Sequence, residues 1–190
     1  GFWVFDPALF ASGDALAFDG QMLRRNGAPE PLVGTTTMSA SVHRDFLFVP
    51  NAAVWDDTFA ELSSLKINAI RTGLWSGWKR ISADANVVDE AFLRALEAFY
   101  LTARRHRLPV IFSVFAFTPE EFGGEDPYFD PRALEGQRAL LTALARRMAP
   151  AREWIWDLIN EPSFASPRKL WSLRPSGTRF ERDEFLAWLQ

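Results

Sequence analysis

Asn160 and Glu161, at the end of one apolar run, carry the strongest chemical signal in the sequence. They close the stretch Arg152-Glu153-Trp154-Ile155-Trp156-Asp157-Leu158-Ile159-Asn160-Glu161-Pro162, whose length and bulk predict a buried parallel strand. Proline stops a strand ladder, and the residue before it is pushed out of the helical region, so Glu161 is expected to be extended at the carboxyl end of the strand. Folds that alternate strands with helices place their chemistry at that end. A carboxyl group held there can transfer a proton; the plainer reading is that Glu161 merely begins a surface loop.

Arg71 is the second signal. It sits inside Ile67-Asn68-Ala69-Ile70-Arg71-Thr72-Gly73-Leu74-Trp75, an apolar segment in which an unpaired charge is too costly to persist. Either it pairs with an inward acid such as Asp157, or it lies at the mouth and orients the carboxylate of Glu161. The two histidines are weaker candidates. His43 lies in a loop beside Arg44 and Asp45, whereas His106 reads as part of a basic helix end with Arg104, Arg105 and Arg107. Glu120, Glu121, Glu125 and Asp126 lack the alternating-oxygen spacing of a calcium loop and read as a solvated loop; no metal and no cofactor are expected.

The elements that must position these residues form a series. Residues 1–30 read as short β pieces, with Asn26-Gly27 the strongest hairpin signal in the chain. Leu32 to Met38 predicts a buried strand, and Val54 to Lys66 a helix with Asp56 and Asp57 in its first turn. Ile67 to Trp75 predicts a strand, about 88–107 a helix entered from Asp84, and Val110 to Phe115 a strand broken only by a small serine. Residues 131–149 predict a helix, followed by the Trp154 strand, a loop with Phe164 and Trp171, and a last helical pattern over 181–190. Such alternation requires a parallel sheet. No glycine-rich dinucleotide fingerprint or phosphate-binding Gly-Lys-Ser/Thr follows the first strand, which argues against a nucleotide fold.

Composition bounds the rest. The 190 residues suffice for a real core, and a net charge of −3 with mixed signs points to neither nucleic acid nor a membrane surface. There is no cysteine, so disulfides and thiolate metal sites are excluded. No apolar run is long enough to span a bilayer, and no signal-peptide pattern is present, which leaves location open. The chain starts at Gly1 with a strand-like Phe2-Trp3-Val4-Phe5, so it is expected to begin inside a longer protein.

Asn160-Glu161-Pro162 after an aromatic strand resembles the acid/base strand of retaining glycoside hydrolases built on (β/α)8 barrels, the clan of cellulases, mannanases and β-galactosidases. Arg71 and the Asn26-Gly27 hairpin support the resemblance, which covers about residues 20–190. It implies a partial barrel: an N-terminal β segment over 1–30, then the first half of a catalytic barrel over 31–190, because four units fit in the chain whereas a full barrel takes about 250 residues. It implies that Glu161 protonates the leaving oxygen, that Asn160 hydrogen-bonds the sugar hydroxyl beside the reacting carbon, and that Arg71 orients the carboxylate. Trp75, Trp78, Phe115 and His43 are the remaining candidates for contacting an oligosaccharide or polysaccharide substrate.

Two difficulties accompany that assignment. Strict alternation faces Asn160 and Glu161 oppositely, so a local bulge or turn must rotate one of them if both serve the pocket. The nucleophile is also missing: Asp157 lies roughly 13 Å from Glu161 at the usual strand rise, beyond the about 5–5.5 Å of a retaining pair. In the clan it ends the seventh strand, so the 190 residues alone are expected to be inactive. A different class of function is a catalytically inactive carbohydrate-binding half-barrel that pairs with itself or a partner chain through its unpaired edges. A third is a metal-dependent barrel enzyme using Glu161 as a base, which the lack of further strand-end carboxylates disfavours.

Overall fold

The computed structural model describes residues 3–39, 42–75, 78–81, 88–116, 121–161 and 177–190, with the backbone alone at 78 and 79. Asp84, Phe117, Glu120, Pro162 and the loop with Phe164 and Trp171 lie outside the described residues. The chain opens with a short helix α1 (Pro7–Phe10), capped by Asp6, whose Oδ1 accepts from the N–H groups of Ala8 and Leu9. Three short antiparallel strands follow: β1 (Leu16–Phe18), β2 (Leu23–Arg25) and β3 (Ala28–Pro29). Asn26 and Gly27 form the turn between β2 and β3 at φ 50° and 83°, so both central residues occupy the left-handed region that the Asn-Gly pair tolerates.

The main sheet is parallel, in the order β4 (Gly34–Thr36), β5 (Ala69–Gly73), β6 (Val110–Ala116), β7 (Trp154–Asn160). Its crossovers carry α2 (Ala52–Ser64), α4 (Glu90–Arg105) and α5 (Pro131–Met148), with a short α3 (Trp78–Ile81) before α4 and α6 (Arg179–Trp188) at the end. Side chains alternate across each strand. One face, with Ile70, Leu74, Phe112, Val114 and Trp154, joins the helix residues Trp55, Phe59, Leu96, Phe99, Tyr100, Leu140 and Leu144 in a single core. Its aromatic packing is tight: Phe112 stacks on Trp154 at 4.8 Å, and Tyr100 meets the same indole edge-on at 5.7 Å. The other face carries Arg71, Gly73, Ser113, Phe115, Asp157 and Ile159, which the register brings into lateral rows such as Gly73–Ser113–Asp157.

Gly73 is dictated by that row. A Cβ built there would lie 2.3 Å from the Ser113 carbonyl oxygen and 2.7 Å from its Cβ, neither of which can move aside without disturbing the ladder. Gly73→Ala is therefore expected to cost about 1–3 kcal/mol by overpacking, read as a lowered urea midpoint at constant slope. A loss within the about 0.5 kcal/mol of a neutral surface change would show that the strands can part more easily than this geometry implies.

Several sequence expectations change with the tertiary neighbours. The predicted buried strand at Leu32–Met38 is only the three residues of β4, largely exposed, because it lies on the outer edge of the sheet. Likewise β7 is not fully buried: it is the opposite edge, and Trp156 and Leu158 are 37% and 59% exposed. Helix α2 starts two residues early, capped by Asn51, so Asp56 and Asp57 fall past its first turn. Asp56 instead pairs with His106 at 2.7 Å and Arg105 at 3.3 Å. Arg104, expected as part of the basic end of its helix, is buried against Glu153.

Asp130 caps α5. Its carboxylate takes the Arg132 guanidinium at 2.8 Å and accepts from the N–H groups of Glu125 (2.7 Å) and Arg132 (2.9 Å). Arg132 first, then those N–H groups, hold this carboxyl well below its ordinary value of 3.8. A carboxyl depressed on folding contributes stability that is complete above its unfolded pKa and is lost as pH falls toward the folded one. Thermal midpoints of the wild type should thus fall more steeply below about pH 4 than those of Asp130→Asn, which keeps a cap but cannot titrate. Parallel curves would count against the carboxylate.

Candidate active site

The site is built across three strands. Arg71, midway along β5, must cross β6 to reach β7, a span of about 9.6 Å at the usual strand spacing. The side chains it passes are minimal: Gly73 beside it has none, and Ser113 on β6 is small. The Arg71 Nη2 donates to Asp157 Oδ2 at 2.6 Å and to Asn160 Oδ1 at 2.7 Å. Ser113 Oγ donates to the same Asp157 oxygen at 2.5 Å. Both charged side chains are about a quarter to a third exposed, 30% for Arg71 and 26% for Asp157, so water screens the pair only in part. On its other side the guanidinium lies 5.5 Å from the Trp75 ring centroid.

Asn160 is the last paired residue of β7, opposite Ala116, and by simple alternation it belongs to the helix-covered face. Its amide nevertheless meets Arg71, which projects from the other face. The chain leaves the ladder at the next residue, where Glu161 stands at φ 48°. Glu161 is therefore not extended, contrary to the rule for residues preceding proline. A left-handed residue ends the strand, and the side chain of Asn160 crosses to the Arg71 face.

The predicted residues divide into those brought together and those held apart. Arg71, Asn160 and Trp75 form one cluster, and Glu161 follows directly, exposed. Trp75 is only 9% exposed, with an indole N–H lacking a partner among the described residues; its ring is covered and lies beneath Arg71, not open as a stacking platform. Phe115 is 4% exposed and belongs to the buried hydrophobic cluster, although it projects from the Arg71 face of the sheet. His43 is exposed in the loop after β4, at φ 44°, and lines a recess of about 490 Å³ with Met38, Val42, Arg44 and Asp45. The side chain of Trp78 lies outside the described residues. Ser113 and Gly73 were not anticipated; a lone hydroxyl in an apolar strand was the available signal for the first. Of the two partners open to Arg71, Asp157 is the ion pair formed, and the bond toward the strand end goes to Asn160. Among the described residues no group of three or more His, Asp or Glu side chains is placed to hold a metal ion.

No protein-family model matches the sequence, and no curated protein does. Solved structures do match the fold. GH5_18 from Bifidobacterium longum subsp. longum superposes with a TM-score of 0.64 at 15% identity, over 83% of this chain and 40% of that one. The endo-1,4-beta-mannanase from Rhizomucor miehei gives 0.61 at 16%, over 78% and 49%. An exo-beta-1,4-mannosidase from Opitutaceae bacterium strain TAV5 gives 0.62 at 18%, over 70% and 25%. This chain thus spans half or less of the length of these structures. What it shares with these glycoside hydrolases is their fold: it is part of a (β/α)8 barrel, resembling the GH5 enzymes and mannanases of that clan.

Proposed function

We propose that this chain is the acid/base-bearing part of a retaining glycoside hydrolase, with β-linked, mannose-containing oligosaccharides as the first substrate class to test. The observation that carries the reading is the Arg71–Asn160 bond at the carboxyl end of β7, one residue before Glu161. The structures sharing the fold support the choice of substrate class: one is an endo-1,4-beta-mannanase, another an exo-beta-1,4-mannosidase, and a GH5_18 variant was solved with Manb1-4GlcNAc.

Glu161 protonates the glycosidic oxygen as the bond breaks and later takes a proton from the incoming water. Asn160 binds the hydroxyl beside the reacting carbon, an interaction that strengthens as positive charge spreads over the ring. The second carboxylate, which attacks the anomeric carbon, is assigned to the remainder of the barrel. Asp157 is unsuited to that role, since one of its oxygens already serves both Arg71 and Ser113. The 190 residues alone accordingly turn over nothing.

The test is hydrolysis of aryl β-mannosides and β-glucosides by the complete enzyme, with the first-formed anomer read by proton NMR. Retention of the β configuration is expected. Inversion, or no hydrolysis of any β-glycoside, would sink the proposal.

A further inference from the structure

A carboxamide has two ends of nearly equal shape and opposite polarity, so the end that faces a ligand decides whether the residue donates or accepts. Left free, Asn160 could turn either end outward. Arg71 settles the choice, because a guanidinium has donors only and its Nη2 lies 2.7 Å from Asn160 Oδ1. A long flexible side chain imposes such an order only if it is itself held. Arg71 is held at the same nitrogen by Asp157, whose Oδ2 is in turn fixed by Ser113 Oγ from the intervening strand, and its face rests over Trp75.

We infer that Asp157 and Ser113 are positioning residues: by anchoring Arg71 on the carbonyl oxygen of Asn160, they make Asn160 present its N–H2 edge, a donor, to a substrate hydroxyl. This rests on the glycosidase reading above for its consequence, but not for its geometry. A donor binds the hydroxyl through its oxygen and leaves the hydroxyl hydrogen for an acceptor elsewhere, such as a carboxylate on the far side of the ring. With the Asp157 charge removed, Arg71 is held only by a neutral acceptor that can itself turn its amide, so the anchor weakens, Asn160 samples the reversed orientation more often, and the hydroxyl more often meets an acceptor. Ser113 acts one step further back and should matter less.

Two measurements test this. In the complete enzyme, Asp157→Asn should lower kcat/KM by about tenfold to hundredfold on a glycoside bearing the hydroxyl beside the anomeric carbon, and by less than about threefold on the matching 2-deoxy glycoside. Equal losses on both substrates would mean a general structural role and overturn the inference. Should Asp157→Asn fail to fold, Ser113→Ala carries the same prediction, with a loss of about threefold to tenfold confined to the hydroxyl-bearing substrate. The second measurement needs no activity. In the 190-residue chain, the side-chain N–H2 resonances of Asn160, identified by their loss in Asn160→Asp, should move to the values of a free asparagine in Asp157→Asn or Ser113→Ala. Unchanged resonances in whichever of these variants folds would overturn the inference even if the enzyme proves active. An inactive wild type would sink the functional proposal alone, leaving the resonances to decide this one.

Discussion

Glu161→Gln in the complete enzyme is expected to lose about 10²–10⁴-fold in kcat/KM on natural oligosaccharides, while a dinitrophenyl glycoside of the same sugar loses less than about tenfold at the bond-breaking step. The contrast follows from what the acid does. An alkoxide is too poor a leaving group to depart without a proton, whereas a dinitrophenolate needs none, so only the first reaction depends on the donor. Glutamine keeps the shape and the hydrogen-bonding reach of glutamate but carries no transferable proton at neutral pH. The Arg71–Asn160 bond involves neither end of this side chain, so binding should survive the change. The backbone matters here as well: Glu161 is held at φ 48°, a conformation unfavourable for a residue with a Cβ, and such positions concentrate where a side chain must be aimed. Equal loss on both classes of leaving group would remove Glu161 from the acid role, and an unchanged rate on natural substrates would remove it from the site.

The second large effect concerns stability. Glu153→Ala should destabilise the protein by about 3–5 kcal/mol, because it strands the buried Arg104 without a counter-charge. Glu153 is 1% exposed and stands just before β7. Its carboxylate is in contact with the Arg104 guanidinium from α4, lies 2.5 Å from Arg25 of β2, and accepts from the Asp14 N–H at 3.3 Å. Three separated parts of the chain therefore meet on one charge: the N-terminal strands, a crossover helix and the entry to the last strand of the sheet. Gly13 belongs to the same junction. It stands at φ 122°, and a Cβ there would lie 3.0 Å from Glu153 Cγ and 3.2 Å from Arg104 Cζ.

For a chain of this size the loss amounts to a fall of about 6–20 °C in Tm. Glu153→Leu combined with Arg104→Leu should recover most of it, since removing both members of a buried pair also removes the cost of desolvating them. Arg25→Leu should cost less than either single change, because Arg25 is partly exposed and Glu153 would keep Arg104. Urea denaturation with an unchanged slope measures all of these. A Glu153→Ala loss below about 1 kcal/mol would mean that water reaches Arg104 once the carboxylate is gone.

Part of the molecule was legible in the residues alone, and the legible part is local. Asn26-Gly27 determines its turn because only residues that tolerate positive φ can occupy both central positions, and they do so at 50° and 83°. The helical periods over about 88–107 and 131–149 locate α4 and α5 to within about two residues at each end, whereas their caps, Asp89 and Asp130, emerge only with the structure. The alternation of apolar runs with helical periods determines a parallel sheet, and the strand at Trp154 ends where the amide, acid and proline say it must.

Partners and depth of burial belong to the tertiary structure. An arginine in an apolar strand states only that it needs an acceptor; Asp157 and Asn160 became those acceptors because a glycine and a serine leave the passage across β6 open. Arg104 and Arg105 are adjacent in the sequence, yet one is buried on Glu153 and the other is largely exposed beside Asp56. Trp154 and Trp156 have equal bulk and stand on the same face of the same edge strand, yet the first is far less exposed, because Phe112 and Tyr100 from distant segments pack against it. Turn and cap preferences are decided by torsions and hydrogen bonds within a few residues. Burial and charge pairing are decided by whichever distant segments arrive, and that information exists only once the chain is folded.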